Sequence, residues 1–462
     1  MKNDLFQRID AFIARERGNI VKDIARLVAV PSVAGEPAEG APFGPGPKAA
    51  LEKILEIARE KGLETQLYGD RVGAAILGGP AEPYLATITH VDVVDTGDGW
   101  TGDPFTVRER EGYLIGRGVT DDKGPSILCL YLLQFLKEEN VELAYPIRTL
   151  FGSDEETAME DVKYYLKNYT APAFCISPDA DFPLIYGEKG IYQGILRSRP
   201  VREGNILRLS GGYAFNAIPD KATALVRAEN LHGTERATAV ETEPGLWILT
   251  ATGIGGHASQ PSGKINANAE LVRFLLENGI PSAEEEPFFR LCARVHEAFD
   301  GSGVGVKCSD ELFGALTLVG GKLYKDGDVF VQSVDSRYPT SITGEKITRA
   351  LTKLAGRTAE VTQLEDKEPF FVDPDGAEVK ACMAAYNEVT GLAARPFTIG
   401  GGTYARKFPR AVAFGPEHPE RPRPDFIGPI HGADEAASVE ELLEALKIYI
   451  VAFLNLERLD YT

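Results

Sequence analysis

YLATITHVDVVD (residues 84–95) is the stretch on which the fold turns. It is an apolar, partly β-branched run of strand length that closes on His90 and Asp92. On an extended chain residues i and i+2 share a face, so a carboxylate at 92 can hold the orientation of an imidazole at 90. Strand-like runs flank it: GAAIL (73–77), YPIRTLFGSDEE (145–156) and APAFCISPD (171–179). Helical patterns alternate with them: IVKDIARLVAV (20–30, stopped by Pro31), KAALEKILEIAREKG (48–62) and SILCLYLLQFLKEEN (126–140). The alternation predicts an α/β domain with a mixed, mostly parallel sheet flanked by helices. In such sheets ligands collect where strands end and loops begin. PAEGAPFGPGP (37–47) reads as a Pro/Gly-rich surface loop.

The character changes near residue 187. From GIYQGILRSRP (190–200) to EVTQLEDKEPF (360–370) the strands are shorter and alternating, the turns are Gly-rich, and helices such as INANAELVRFLLENG (265–279) are interspersed. After about 370 the helix-and-strand rhythm returns and closes on SVEELLEALKIYIVAFLNLE (438–457). The organisation predicted is a catalytic domain built from residues 1–187 and 370–462, with an α+β domain, 188–369, inserted.

Charge and cysteine usage narrow the function. Against 49 Lys+Arg stand 68 Asp+Glu, a net charge of −19. That balance argues against nucleic acid and anionic membranes as partners, since both need clustered cations. The charged N-terminal stretch lacks the apolar core of a signal peptide, and LLEALKIYIVAFL (442–454) is interrupted by Glu444 and Lys447. Five scattered cysteines, never in a C-x-x-C pair, fit reduced thiols and a cytoplasmic setting.

The chemistry gathers at the predicted strand ends. Besides His90 and Asp92 there are Asp121 and Asp122 in GRGVTDDKGP, Asp154, Glu155 and Glu156 in FGSDEET, Asp179 in CISPDA, and His431 in GPIHGADE. Each is ordinary alone: Asp121 and Asp122, for instance, suit a helix N-cap. Together at the strand ends of one sheet, two imidazoles and three or four carboxylates suit a pair of divalent ions with one carboxylate shared. A remaining carboxylate can act as general base on water. The reaction class is hydrolysis of an amide or similar acyl bond.

The ordered set H-x-D, G-R-G-x-x-D-D-K-G, D-E-E, P-D-A and a late His resembles the M20 family of dinuclear zinc peptidases, in particular its PepV-like dipeptidase branch and, more distantly, the carnosinases. The resemblance spans nearly the whole chain. It implies Asp121 as bridging ligand, His90 and Asp179 on one metal, and Glu156 and His431 on the other. It further implies Glu155 as the base that activates a metal-bridging hydroxide, Asp92 as orienter of His90, and a cis peptide at Asp121–Asp122. Zn2+ is the expected metal, with Mn2+ or Co2+ as alternatives.

In the inserted domain, which resembles the family's lid, SGGYAFNAIPDKA points to Asn216 and GIGGHASQP to His257 as partners of the reacting oxygen. DSRYP points to Arg337 as clamp of a substrate carboxylate, a task suited to a guanidinium fork. IGGGTYAR resembles a glycine loop that brings Gly401 and Gly402 to the ligand. Two departures stand out: Asp95 replaces the usual Pro, and Ala158 stands where Gly is common. The resemblance implies a monomeric dipeptidase acting on small peptides with free termini, the enlarged lid replacing a second subunit. The alternatives are an M20 deacylase or desuccinylase of N-acyl amino acids, and a silent scaffold that kept the fold. His232, His296 and His418 carry no motif.

Overall fold

The computed structural model describes residues 2–461. It divides into two compact units: Met1–Gly187 with Phe371–Phe397 and Gly402–Thr462, and Glu188–Phe370 with Thr398–Gly401. The first is α/β and the second α+β.

In the α/β unit the sheet runs in the order Glu64–Tyr68, Val72–Leu77, Ile147–Gly152, Leu85–His90, Phe174–Ser177, Ala411–Ala413. Pairing is antiparallel among the first three strands and parallel through the central four. The central strands are buried on both faces, which is why they read as unbroken apolar runs. Helix Lys123–Glu138 is buried over nearly its whole length, between the sheet and helices Lys2–Val28 and Val439–Leu456. Each Leu or Ile fully buried there contributes roughly 1.5–3 kcal/mol.

Two local expectations need correction. The first helix begins far upstream of residue 20, at Lys2. The stretch 37–47 is a loop only in its first part, because Pro45–Pro47 opens helix Pro45–Glu60. Proline is tolerated in a first turn, where its missing N–H has no intrahelical partner to lose.

The register sets up the site. His90 lies opposite Gly152 in the parallel pair, and the Val91 N–H donates to the Gly152 carbonyl at 3.0 Å. The loops after both strands therefore leave the sheet side by side.

The α+β unit carries an antiparallel sheet in the order Ala237–Glu243, Leu246–Thr252, Lys221–Arg227, Ile206–Gly211, Leu323–Asp326, Val329–Tyr338, Gly190–Ser198, Ala359–Lys367. Helices Ala267–Glu277, Glu286–Val295 and Gly344–Ala355 contribute to its separate core. Among the described residues no helix is long and apolar enough to cross a membrane.

Candidate metal centre and active site

The two histidines meet on one carboxylate. His90 Nε2 lies 2.8 Å from Asp121 Oδ1, and His431 Nε2 lies 2.8 Å from Asp121 Oδ2. Asp179 Oδ2 is 3.8 Å from His90 Nε2, and Glu156 Oε1 is 3.2 Å from His431 Nε2. Among the described residues two groups have ligand atoms within 4.8 Å of one another and could hold a metal: His90, Asp121 and Glu156, and His90, Asp122 and Asp179. His90 is fully buried, and its Nδ1 lies 3.0 Å from the Asp92 carbonyl. With Nδ1–H donating there, the unprotonated nitrogen of the neutral ring is Nε2. The Asp92 carboxylate is close to Nδ1 as well, at 3.5 Å, while its Oδ2 accepts from the Glu156 N–H at 3.1 Å. Asp92 thus ties the His90 strand to the Asp-Glu-Glu loop.

The three adjacent acids of that loop separate by their partners. Asp154 accepts from the Glu160 N–H at 2.8 Å and from the Thr157 hydroxyl, closing its own turn. Glu156 faces His431. Among the described residues the Glu155 carboxylate has no hydrogen bond or ion pair, yet it feels the charges of Asp179, His90, Glu156 and Asp121. Asp122, for which a helix N-cap is the simplest reading, makes no capping bond; its Oδ2 accepts from the His90 N–H at 3.2 Å. The Asp121–Asp122 peptide is cis.

The electrostatics describe a site short of positive charge. Burial, then the Asp179 carboxylate, pushes Glu155 well up; burial, then Asp121, pushes up both Glu156 and Asp179. Burial opposes the charged form of His431, but hydrogen bonds to Asp121 and Glu156 carry it to about 11. The buried atoms His90 Nε2, Asp121 Oδ1 and Glu156 Oε1 are turned on one another and on His431 Nε2. These atoms, all lone-pair donors in neutral imidazole or carboxylate form, fit divalent cations.

Sequence reasoning missed the groups that brace these loops. Asp161 is buried and accepts from the Ser153 N–H at 2.6 Å, the Asp154 N–H at 3.1 Å and the Tyr404 hydroxyl. Arg117 and Glu435 brace the opposite side. Each stood inside a quoted motif, and their burial is what singles them out. The His431 loop is also tightly closed: a Cβ on Gly428 would lie 1.7 Å from the Ala433 carbonyl oxygen. Gly428→Ala is therefore expected to destabilise the protein by roughly 1–3 kcal/mol. Thermal unfolding beside wild type measures this, and an unchanged Tm would contradict the packing.

In the inserted unit, Ala217–Ile218 pairs with Gly256–His257, which places Asn216 Nδ2 3.5 Å from His257 Nε2. The Ser259 N–H lies 3.2 Å from His257 Nδ1, so the neutral ring carries its proton on Nε2. Burial, then the charge of Arg337, lowers the His257 pKa and favours that neutral ring. Arg337 is buried and already engaged: Nε and Nη2 donate to Asp335 at 2.8 and 3.2 Å, and Nη1 donates to the Gly400 carbonyl at 2.9 Å. Of its five N–H bonds, one on each terminal nitrogen is left for a ligand. In the glycine run the close approach belongs to Gly400, where a Cβ would lie 2.7 Å from Ser259 Cβ. Gly401 has more room, and Gly402 falls in the α/β unit. His418 is buried against Phe182 and Tyr386, and His296 bonds Gln332 through Nε2 at 2.8 Å.

An α/β sheet whose strand ends gather imidazoles and carboxylates around one shared carboxylate has the layout of a metal-dependent hydrolase. The chain belongs to peptidase family M20/M25/M40, whose profile matches residues 86–455. A Bacillus subtilis (strain 168) protein named "Putative dipeptidase YtjP" is 32% identical, with 96% of this chain and 99% of that one covered. "Putative dipeptidase SH1171" of Staphylococcus haemolyticus (strain JCSC1435) is 31% identical over 95% of this chain and 97% of its own. Among solved structures, human carnosine dipeptidase 1 shares the fold with a TM-score of 0.58 at 15% identity, covering 98% of this chain and 100% of that one. The di-peptidase Dug1p of Saccharomyces cerevisiae does so with a TM-score of 0.60 at 13% identity, covering 98% of each.

Proposed function

We propose that the protein is a dinuclear metallo-dipeptidase that hydrolyses the peptide bond of small peptides with free termini. The observation that carries this reading is the Asp121 carboxylate, which turns one oxygen to each of two imidazoles. A shared carboxylate between two histidines is what a cation pair needs, and the names of the relatives support the substrate class. His90 and Asp179 would hold one cation, His431 and Glu156 the other, with Asp121 common to both. When bound, such a pair supplies Lewis acidity that polarises a carbonyl and acidifies water. Zn2+ suits the imidazole and carboxylate set, and Mn2+ or Co2+ can replace it.

The chain's own groups then have distinct tasks. Glu155 takes the proton from the attacking water at its free carboxylate and passes it to the leaving amine. Asp92 holds His90 with Nε2 outward. The Nε2–H of His257 and the Nδ2–H of Asn216, two donors side by side, would stabilise the oxygen that becomes negative in the tetrahedral state. Arg337 would bind the C-terminal carboxylate through its two remaining N–H bonds, with Gly401 and Gly402 beside the ligand. A monomeric, cytoplasmic enzyme fits the large inserted unit and the five free cysteines.

An assay of dipeptides against N-acyl amino acids, after chelation and stepwise return of Zn2+, Mn2+ or Co2+, tests the proposal. Dipeptides with a free amino end are expected to turn over only with metal restored. Preference for N-acylated substrates would favour the deacylase, and metal-independent turnover would remove the mechanism.

A further inference from the structure

Arg117 and Glu435 stand 318 residues apart in the chain and form a buried ion pair, each 1% exposed, with Arg117 Nη1 2.6 Å from Glu435 Oε2. The other oxygen of Glu435 faces a nest of backbone donors. Oε1 accepts from the N–H groups of Gly118 at 3.0 Å, Thr120 at 3.2 Å and Asp121 at 3.4 Å. The other terminal nitrogen of Arg117 caps carbonyls: Nη2 donates to Asp95 at 3.2 Å, Thr96 at 3.3 Å and His431 at 3.2 Å. One ion pair therefore grips the backbone of Asp121 from one end and that of His431 from the other.

The proposed ligands depend on it unequally. His90 ends a strand held in the sheet on both sides. Asp179 follows Phe174–Ser177, which is likewise paired on both sides. His431 sits in a loop, in the left-handed region at φ 63, with its carbonyl held by Arg117. That conformation is uncommon for a residue with a side chain, so it persists only where the surroundings fix it.

We propose that the Arg117–Glu435 pair positions Asp121 and His431 for the cation assigned to His431 and Glu156. Losing the pair then weakens that position more than the one on His90 and Asp179, which shares Asp121 but not His431. The inference rests on the two-cation reading above. Removing one partner alone would leave a buried charge uncompensated, so the informative variant removes both. Arg117→Met/Glu435→Gln, stripped with a chelator, is titrated with Zn2+ against a chromophoric competitor, and bound metal is counted by mass spectrometry after dialysis. Wild type is expected to take two Zn2+. The double variant is expected to hold one with little loss of affinity and the second about 10–100-fold more weakly, the usual effect of losing an outer support to a metal ligand. If the double variant does not fold, Arg117→Lys serves, since one ammonium cannot span Glu435 and three carbonyls. Two sites of wild-type affinity in the variant would overturn the inference, as would equal weakening of both, which is the mark of general loosening. Wild type binding no Zn2+ would instead sink the two-cation reading, and the inference with it.

Discussion

Glu155→Gln is expected to lower kcat on dipeptides by about 10²–10⁴-fold, with KM little changed and both metal positions still filled. The substitution keeps the shape of the side chain and removes only its basicity. Its neighbours cannot take over. Asp154 is committed to the Thr157 hydroxyl and the Glu160 N–H, and Glu156 to His431. Glu155 alone of the three has a carboxylate without a partner among the described residues, yet it stands within the field of Asp179, His90, Glu156 and Asp121. In the cation-free protein, burial and then Asp179 push its pKa well up; neutralising Asp179, Glu156 and Asp121 by cation binding would bring it back down. The measurement is steady-state kinetics beside a metal count on the same preparation. Unchanged turnover with two metals bound would assign the base elsewhere, whereas lost metal would make Glu155 a ligand instead.

Where the fold and site could be read in the sequence, the signal was local. A central strand buried on both faces is a continuous apolar run, and at its end the chain turns polar, so His90, the Asp-Glu-Glu triplet and Asp179 stood out within a few residues each. Roles inside the triplet were not local: separating Glu155 from Glu156 depends on where His431 arrives, roughly three hundred residues later, and the family resemblance supplied that assignment. The bracing groups were harder still. Nothing near Arg117 announces a partner at 435, nor near Asp161 one at Tyr404, because a buried ion pair or hydrogen bond between distant segments leaves no periodicity behind. Arg337 shows a subtler limit. Its motif pointed to a guanidinium facing a ligand, but Asp335, two residues away on the same strand, occupies one edge of it. The proline-rich stretch before residue 48 misled for a different reason: proline marks loops and first helical turns alike.

Asp121→Asn is expected to remove most of the Zn2+-dependent stabilisation and to reduce activity further than Glu155→Gln does. In wild type the two carboxylate oxygens are chemically equivalent, and each lies 2.8 Å from an imidazole Nε2. An amide offers one oxygen. Its NH2 group would present donors to the other imidazole, where a cation ligand needs a lone pair. One position would lose its shared ligand outright, and the other would keep a neutral oxygen in place of an anionic one. Each filled position should stabilise wild type by about 2.7 kcal/mol when free Zn2+ is 100 times its Kd, a Tm rise of several degrees for a domain of ordinary size. The cation-free proteins should differ less. Asp121 pairs with both histidines, but it also pushes up the pKa values of Glu155, Glu156 and Asp179, so its removal relieves as well as costs. The discriminating quantity is thus the shift on adding Zn2+, read by calorimetry on chelator-stripped protein. A variant whose Tm rises as far as wild type's would show that Asp121 is not shared between two cations, and the assignment of both positions would fall with it.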